Sequence, residues 1–142
     1  MILIGIDPDV EKSGVAYKNG DDFQLLNLPF FELLEFFENV QREKGGSEKL
    51  LVVIEAGWLN KGNWHTKSKG SAALNAKIGN NTGRNHETGL KIVEMVEYLG
   101  IQYRLVKPMT SKLNSKFFQK ITGVTKSNQE QRDAAMLIWN LK

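Results

Sequence analysis

Acidic residues occur in this sequence at positions where a fold could bring them together. An apolar run at the N-terminus predicts a buried central strand that ends in Asp7, and a second apolar run ends in Glu55. An acid at the tip of a buried strand is unfavourable unless it meets a cation or hydrogen-bond donors. Glu130 and Asp133 are three residues apart in a helical pattern and therefore share one face of that helix. Acids delivered from separate elements in this way are typical of a divalent-metal site.

The chemistry that uses such a set of carboxylates is two-metal hydrolysis of a phosphodiester bond. Hard oxygen ligands hold two Mg²⁺ or Mn²⁺ ions roughly 3.5–4 Å apart, one activating water and one stabilising the leaving oxygen. The sequence therefore predicts that the metal ligands, which are also the catalytic residues, are Asp7, Glu55, Glu130 and Asp133.

Each acid also has a simpler explanation. Asp7 or Asp9 could cap a turn, and Glu55 could pair with a nearby lysine. Glu130 near the start of a helix suits the helix dipole, and for this residue capping and metal ligation are equally favoured. For Asp7, Glu55 and Asp133 together, metal ligation is favoured because the alternative requires three unrelated coincidences.

Apolar periodicity predicts the elements that position these acids. The predicted strands are 2–7, 13–18, 23–28, 50–55 and 101–106, and the predicted helices are 29–44, 71–99, 110–121 and 128–141. Asn-Gly at 19–20 predicts a hairpin, and the glycines at 79 and 83 predict either a helix break or a face that something approaches closely. The pattern is that of one α/β domain over residues 1–142. A right-handed crossover would set the fourth strand parallel to the first and bring Asp7 next to Glu55.

Charge is distributed unevenly along the 142 residues. Residues 1–55 carry eleven acids and five Lys or Arg, a net charge of −6, whereas residues 56–142 carry five acids and fourteen bases, a net charge of +9. A basic surface for a polyanion such as nucleic acid is favoured over chance clustering of solvated lysines. The absence of cysteine excludes disulfides and thiolate zinc sites, and no apolar run is long enough to span a bilayer. With no basic leader, the expected location is the cytoplasm.

Four motifs carry a family resemblance: Gly5-Ile6-Asp7-Pro8, Ser13-Gly14-Val15-Ala16, Val53-Ile54-Glu55 and Glu130-Gln131-Arg132-Asp133-Ala134-Ala135. In order and spacing they resemble Holliday junction resolvases of the RuvC type, in the ribonuclease H-like superfamily. The resemblance implies a mixed five-stranded sheet, with strands 1–3 antiparallel, strands 4 and 5 parallel, and helices on both faces. It also implies that the four acids named above are the metal ligands. The chain departs from the family in having Asp9 where glycine is frequent and Glu130 where aspartate is usual.

The same resemblance implies residues that contact nucleic acid. Aromatic side chains interleaved with lysines suit base stacking combined with phosphate contact, although packing under a long loop is the alternative for the tryptophans. A stripe of Lys112, Lys116 and Lys120 is predicted opposite Leu113, Phe117 and Ile121; such a stripe is usually a solvated helix face. The predicted nucleic-acid-binding residues are Trp58, Lys61, Trp64, Lys67, Lys69, Arg84, Lys112 and Lys116.

Three functions fit these features. The favoured one is a metal-dependent endonuclease acting on branched DNA, and the second is a non-catalytic nucleic-acid-binding module of the same fold. The third is an actin-like ATP-binding protein, since those also begin with Gly-Ile-Asp. It is disfavoured because the chain is short and carries no Gly-Lys-Ser/Thr phosphate loop, so no nucleotide cofactor is expected. Two symmetric cuts need two sites, so the resemblance implies a homodimer, with the helix at 71–99 as its interface.

Overall fold

A computed structural model describes residues 1–44, 46–60 and 72–142 of the chain. The strands and helices, in chain order, are β1 (Ile2–Asp7), β2 (Ser13–Asn19), β3 (Asp22–Leu28), α1 (Phe30–Lys44), β4 (Leu50–Glu55), α2 (Ala72–Tyr98), β5 (Gln102–Val106), α3 (Ser115–Thr122) and α4 (Gln129–Ile138). A short 3-10 turn, Gly57–Leu59, follows β4. In this part of the chain, no helix is both long and apolar enough to cross a membrane.

The five strands form one mixed sheet in the order β3-β2-β1-β4-β5. Strand β2 is antiparallel to both β1 and β3, whereas β4 is parallel to β1 and β5 is parallel to β4. The predicted ribonuclease H-like fold class is therefore confirmed. The predicted hairpin is confirmed as well: β2 and β3 pair through Asn19 and Asp22, and Gly20 between them has a φ of 60°.

Side chains along β1 alternate between two cores because successive residues of a strand point to opposite faces. Ile2, Ile4 and Ile6 belong to the larger core, which α1 and α2 cover. Leu3 belongs to the smaller core, which contains Val53 of β4 and is covered by α4 and Phe118 of α3. Helices thus cover both faces of the sheet. By the same alternation, the face that α4 covers also receives Asp7 and Glu55 at the ends of their strands.

Two glycines allow α4 to lie directly on the sheet. A Cβ at Gly5 would overlap the carbonyl oxygen of Ala134, and a Cβ at Gly14 would overlap the carbonyl oxygen of Glu130. Ala134 itself is fully buried in this interface. The glycines of the first two strands therefore fix how near the acid-bearing helix comes to the tips of β1 and β4.

Helix α2 runs without interruption through the predicted break. Ideal Cβ atoms at Gly79 and Gly83 would meet no atom within 4 Å, so neither glycine marks a close approach in the described part of the chain. The close approach is instead at Gly89, where a Cβ would overlap the Trp58 ring. Because an isolated glycine costs a helix only about 1 kcal/mol, the packing of the second half of α2 is sufficient to keep the helix continuous.

Helix α3 begins five residues later than predicted. The side chain of Asn114 accepts a hydrogen bond from the Phe117 backbone N–H and so sets the helix start. Lys112 lies before the helix, and the predicted single stripe of Lys112, Lys116 and Lys120 is therefore wrong. The predicted apolar side is wrong too, because Phe118 is the buried residue of this helix while Phe117 is 54% exposed.

Candidate functional site

Asp7 and Glu55 lie side by side at the ends of parallel neighbouring strands. The residues just before them, Ile6 and Ile54, are direct partners in the β1–β4 register. Asp133 reaches the same place from α4, and its side chain is 10% exposed, while that of Glu55 is 12% exposed. We call Asp7, Glu55 and Asp133 the carboxylate cluster. The predicted convergence of acids from the first strand, the fourth strand and the last helix is present.

A lysine connects two members of the carboxylate cluster. Lys112, in the segment between β5 and α3, donates a hydrogen bond of 2.7 Å from Nζ to Oδ2 of Asp133. The same Nζ lies 3.8 Å from Oε1 of Glu55. Pairing with a lysine, one of the two explanations that the sequence allows for Glu55, is therefore observed. The clustering of acids, which favours a cation site, is observed as well.

The electrostatic state of Asp7 reflects this crowding. Burial, followed by the negative charges of Glu55 and Asp133, raises the pKa of Asp7 from 3.8 to about 8, although Lys112 acts in the opposite direction. Burial also raises the pKa of Glu55, with Lys112 opposing and Asp133 reinforcing that shift. Burial alone would lower the pKa of Lys112. The hydrogen bond to Asp133 and the charges of the surrounding carboxylates outweigh that effect, so the net pKa of Lys112 is raised. If all three carboxyls were ionised, the cluster would carry more negative charge than one ammonium neutralises, and the raised pKa values of Asp7 and Glu55 reflect that excess.

Glu130 lies in the first turn of α4 with its backbone against Gly14. Its charge contributes to the raised pKa of Asp7, which places it near the cluster. The N-cap residue of α4 is Asn128. Its side-chain oxygen accepts a hydrogen bond from the backbone N–H of Gln131, and the side-chain oxygen of Gln131 accepts one from the backbone N–H of Asn128. Glu130 is therefore not the capping residue, although its position still suits the helix dipole.

A hydrogen-bond network that the sequence did not reveal holds Lys112 and Asp133 in place. Gln129 donates to Oδ1 of Asp133 at 2.8 Å, so both oxygens of that carboxylate have donors. Arg132 donates from Nε to the carbonyl oxygen of Leu113 at 2.9 Å, and from Nη1 to Ser127. Arg132 is thereby bound to the segment that carries Lys112. Apart from the position of Arg132 beside Asp133, nothing in the sequence indicates this hydrogen-bond network.

Within residues 1–44, 46–60 and 72–142, no group of three or more histidine, aspartate and glutamate side chains is placed to hold a metal ion. The contacts supply a physical reason. Asp133 and Glu55 are oriented toward the ammonium of Lys112, which occupies the position between them. The donor atoms are the hard carboxylate oxygens that Mg²⁺ and Mn²⁺ prefer, so the chemistry of the set fits a divalent cation.

A cleft of about 260 Å³ opens beside the strand tips. Its lining includes Asp7 and Glu55, and α2 contributes Asn85 and His86. The Asn85 side chain accepts from the Val10 backbone N–H at 3.0 Å, which ties α2 to the loop after β1. Neither Asn85 nor His86 stands out individually in the sequence; their only signal is a polar segment within an otherwise periodic helix.

The predicted nucleic-acid-binding residues have different outcomes. Trp58 packs against Gly89 and the larger core while also lining the cleft, so core packing accounts for part of its surface. Lys112 contacts the carboxylates, and Arg84 and Lys116 are exposed on α2 and α3. Nucleic-acid contact by all of these stays a prediction. Four further residues lie outside the described residues: Lys61, Trp64, Lys67 and Lys69.

The turn alternative is confirmed for Asp9. Its Oδ1 accepts hydrogen bonds from the backbone N–H groups of Glu11, at 2.9 Å, and Lys12, at 3.4 Å. An aspartate that bonds the backbone two residues ahead stabilises a turn, which explains an acid at this position without metal chemistry.

No protein-family model and no curated protein sequence matches the chain. The solved structures that are similar include RuvC of Thermus thermophilus in complex with a Holliday junction substrate, at 16% identity and a TM-score of 0.46, covering 96% of this chain and 89% of that one. A second Thermus thermophilus RuvC structure is similar at 15% identity and a TM-score of 0.46, covering 96% of this chain and 90% of that one.

Proposed function

We propose that the chain is a metal-dependent endonuclease that hydrolyses phosphodiester bonds in branched DNA. The observation that carries the proposal is the clustering of three acids from separate elements: Glu55 and Asp133 both lie against the Lys112 ammonium, and their charges act on the partly buried Asp7. A fold gains no stability by gathering buried acids, since each must lose hydration and repel the others. Such an arrangement is typical of sites that use negative charge to bind a cation.

The groups that would hold Mg²⁺ or Mn²⁺ are the carboxylates of Asp7, Glu55, Asp133 and Glu130. Two such ions, when bound, activate water and stabilise the leaving oxygen of the phosphodiester. The chain's own contribution is to orient the acids: β1 and β4 fix Asp7 and Glu55, while Gln129 fixes one oxygen of Asp133. The adjoining cleft gives a nucleotide access to the strand tips.

Branched DNA is proposed as the substrate because the resolvase-type motifs cover nearly the whole chain in order. The excess of basic residues after residue 55 supports a polyanionic partner. We propose Trp58, Arg84, Lys112 and Lys116, with the four residues of the 61–69 segment named above, as its contacts. We further propose that residues 1–142 act as a single nuclease domain, that the protein is cytoplasmic, and that α2 forms the interface of a homodimer. Sedimentation analysis tests the dimer.

The test is a cleavage panel run with Mg²⁺ and with Mn²⁺. Four-way junction, flap, nicked duplex, linear duplex and RNA–DNA hybrid are compared for wild type, Asp7→Asn and Asp21→Asn. Asp21 is an exposed acid in the β2–β3 turn and serves as the matched control. We expect cleavage of the branched DNAs by wild type and by Asp21→Asn. Asp7→Asn should cut about a thousandfold more slowly or worse, while still binding the junction in a gel-shift assay.

Three outcomes would count against the proposal. Undiminished cleavage by Asp7→Asn would remove the mechanism. Tight Mn²⁺ binding with no cleavage of any substrate would instead favour the non-catalytic binding module. A thermal shift on adding ATP and Mg²⁺ would favour the actin-like alternative; we expect no shift.

A further inference from the structure

Lys112 has an unusual position for a lysine at a predicted metal site. Among the ion pairs in the described ranges, it supplies the only basic group that contacts the carboxylate cluster. Its Nζ is within 2.7 Å of one carboxylate oxygen and 3.8 Å of another, both on side chains that are nearly buried. A cation bound by these same oxygens would have to occupy space that the ammonium now fills.

We propose that the Lys112 ammonium is an exchangeable counter-ion of the carboxylate cluster, which neutralises the acids in the metal-free protein and leaves them when a divalent cation binds. The proposal rests on the proposed function in one respect, that these acids bind metal. It adds that metal binding and the Lys112 contacts are mutually exclusive, so that the chain itself sets a threshold for metal loading.

Charge and geometry together require the exclusion. A lysine ammonium donates hydrogen bonds but cannot ligate a metal, and two cations sharing the same two carboxylates repel each other strongly in a partly buried site. The donors on Asp133 differ in this respect. Gln129 is neutral and contacts Oδ1, so it can stay, whereas Lys112 is charged and contacts Oδ2.

The exchange needs only the lysine side chain to move. The backbone next to Lys112 is tied to α4 because the carbonyl oxygen of Leu113 accepts from Arg132 Nε at 2.9 Å and from Gln129 at 3.4 Å. The Lys112 side chain is 41% exposed, so its flexible stem has a path to solvent without unfolding the segment. We therefore expect the change on metal binding to be confined to this side chain.

Mn²⁺ binding tests the proposal directly. The Kd of the tightest site is measured by calorimetry, and by the electron-spin resonance signal of free Mn²⁺, at a pH near 8, for wild type, Lys112→Met and Lys126→Gln. Methionine keeps the length of the stem without offering a hard ligand, and Lys126 is an exposed lysine between α3 and α4 that serves as the control. We expect Lys112→Met to bind Mn²⁺ roughly ten- to a hundredfold more tightly than wild type, and Lys126→Gln to match wild type.

A second variant covers the case in which Lys112→Met folds poorly. Lys112→Arg retains the positive charge and should bind Mn²⁺ no more tightly than wild type. Equal or weaker Mn²⁺ binding by a folded Lys112→Met would overturn the exchange, and so would tighter binding by Lys112→Arg. The two proposals can fail separately. If Lys112→Met binds Mn²⁺ more tightly than wild type but no substrate is cleaved, the exchange of Lys112 for metal is supported and only the proposed nuclease activity is contradicted.

Discussion

Replacing Asp7 by asparagine should stabilise the metal-free protein, although it removes a residue proposed to be essential for activity. Burial and the charges of Glu55, Asp133 and Glu130 raise the pKa of Asp7 to about 8, with Lys112 giving partial relief. Folding therefore forces this carboxyl either to bind a proton or to carry an unfavourable charge. Asparagine has nearly the same shape and carries no charge, so it avoids that cost.

The size and the pH dependence of the effect follow from the pKa of Asp7. Between 3.8 and about 8 the folded protein binds the proton more tightly than the unfolded chain, so the contribution of Asp7 to the free energy of unfolding falls as pH rises through this range. At neutral pH the difference corresponds to a ceiling of about 4 kcal/mol. Since a buried amide also loses hydration, we expect a net gain of about 2 kcal/mol. That gain raises the melting temperature by roughly 5–10 °C.

Urea unfolding in EDTA provides the assay, with the free energy of unfolding measured near pH 5 and near pH 8. The gain from Asp7→Asn should be larger at the higher pH, where wild-type Asp7 carries its full cost. Asp21→Asn, in the exposed hairpin turn, should change little at either pH. A destabilised Asp7→Asn, or a gain that is the same at both pH values, would refute the raised pKa and with it the crowding of the acids.

Three further outcomes are expected. Gly5→Ala should lower the free energy of unfolding in urea by about 3 kcal/mol, because the new Cβ would overlap the Ala134 carbonyl. Gly79→Ala, where a Cβ meets no atom, should raise it by about 0.5 kcal/mol. Equal effects of the two substitutions would contradict the packing of α4. Arg132→Met should cost about 2 kcal/mol in the same assay, since it removes charged hydrogen bonds to Leu113 and Ser127, and an unchanged stability would show that these bonds are dispensable. Mn²⁺ should raise the melting temperature of wild type but not of Asp7→Asn, and an equal rise in both would place the metal elsewhere.

The strands that carry the acids were predictable because their sequences are constrained on both faces. β1 and β4 are apolar runs that end in an acid, and their observed bounds equal the predicted ones. Parallel pairing of the two strands then places Asp7 beside Glu55 by geometry alone. The acids of α4 followed from helical spacing together with the two alanines after Asp133.

The parts of the site that depend on tertiary contact could not be predicted in this way. Helical spacing suggested a lysine stripe on α3, but the cap at Asn114 begins the helix after Lys112 and leaves that residue in an irregular segment. Its partner, Asp133, is 21 residues away. The position of Trp58 against Gly89 likewise depends on how α2 crosses the sheet, which no local pattern encodes. Local propensity determines elements, whereas these contacts arise only when the elements pack.

The close packing of α4 and the abnormal pKa of Asp7 have the same origin. Because Gly5 and Gly14 lack side chains, the backbone of α4 lies against β1 and β2, which brings Asp133 and Glu130 toward acids that the strands already hold together. A larger residue at either glycine would separate the helix from the sheet and relieve the repulsion between the carboxylates. The sequence instead keeps both glycines and sets one lysine against the excess charge. Stability alone does not account for that combination, since burying paired charges is seldom favourable, whereas the proposed binding of a cation would account for it.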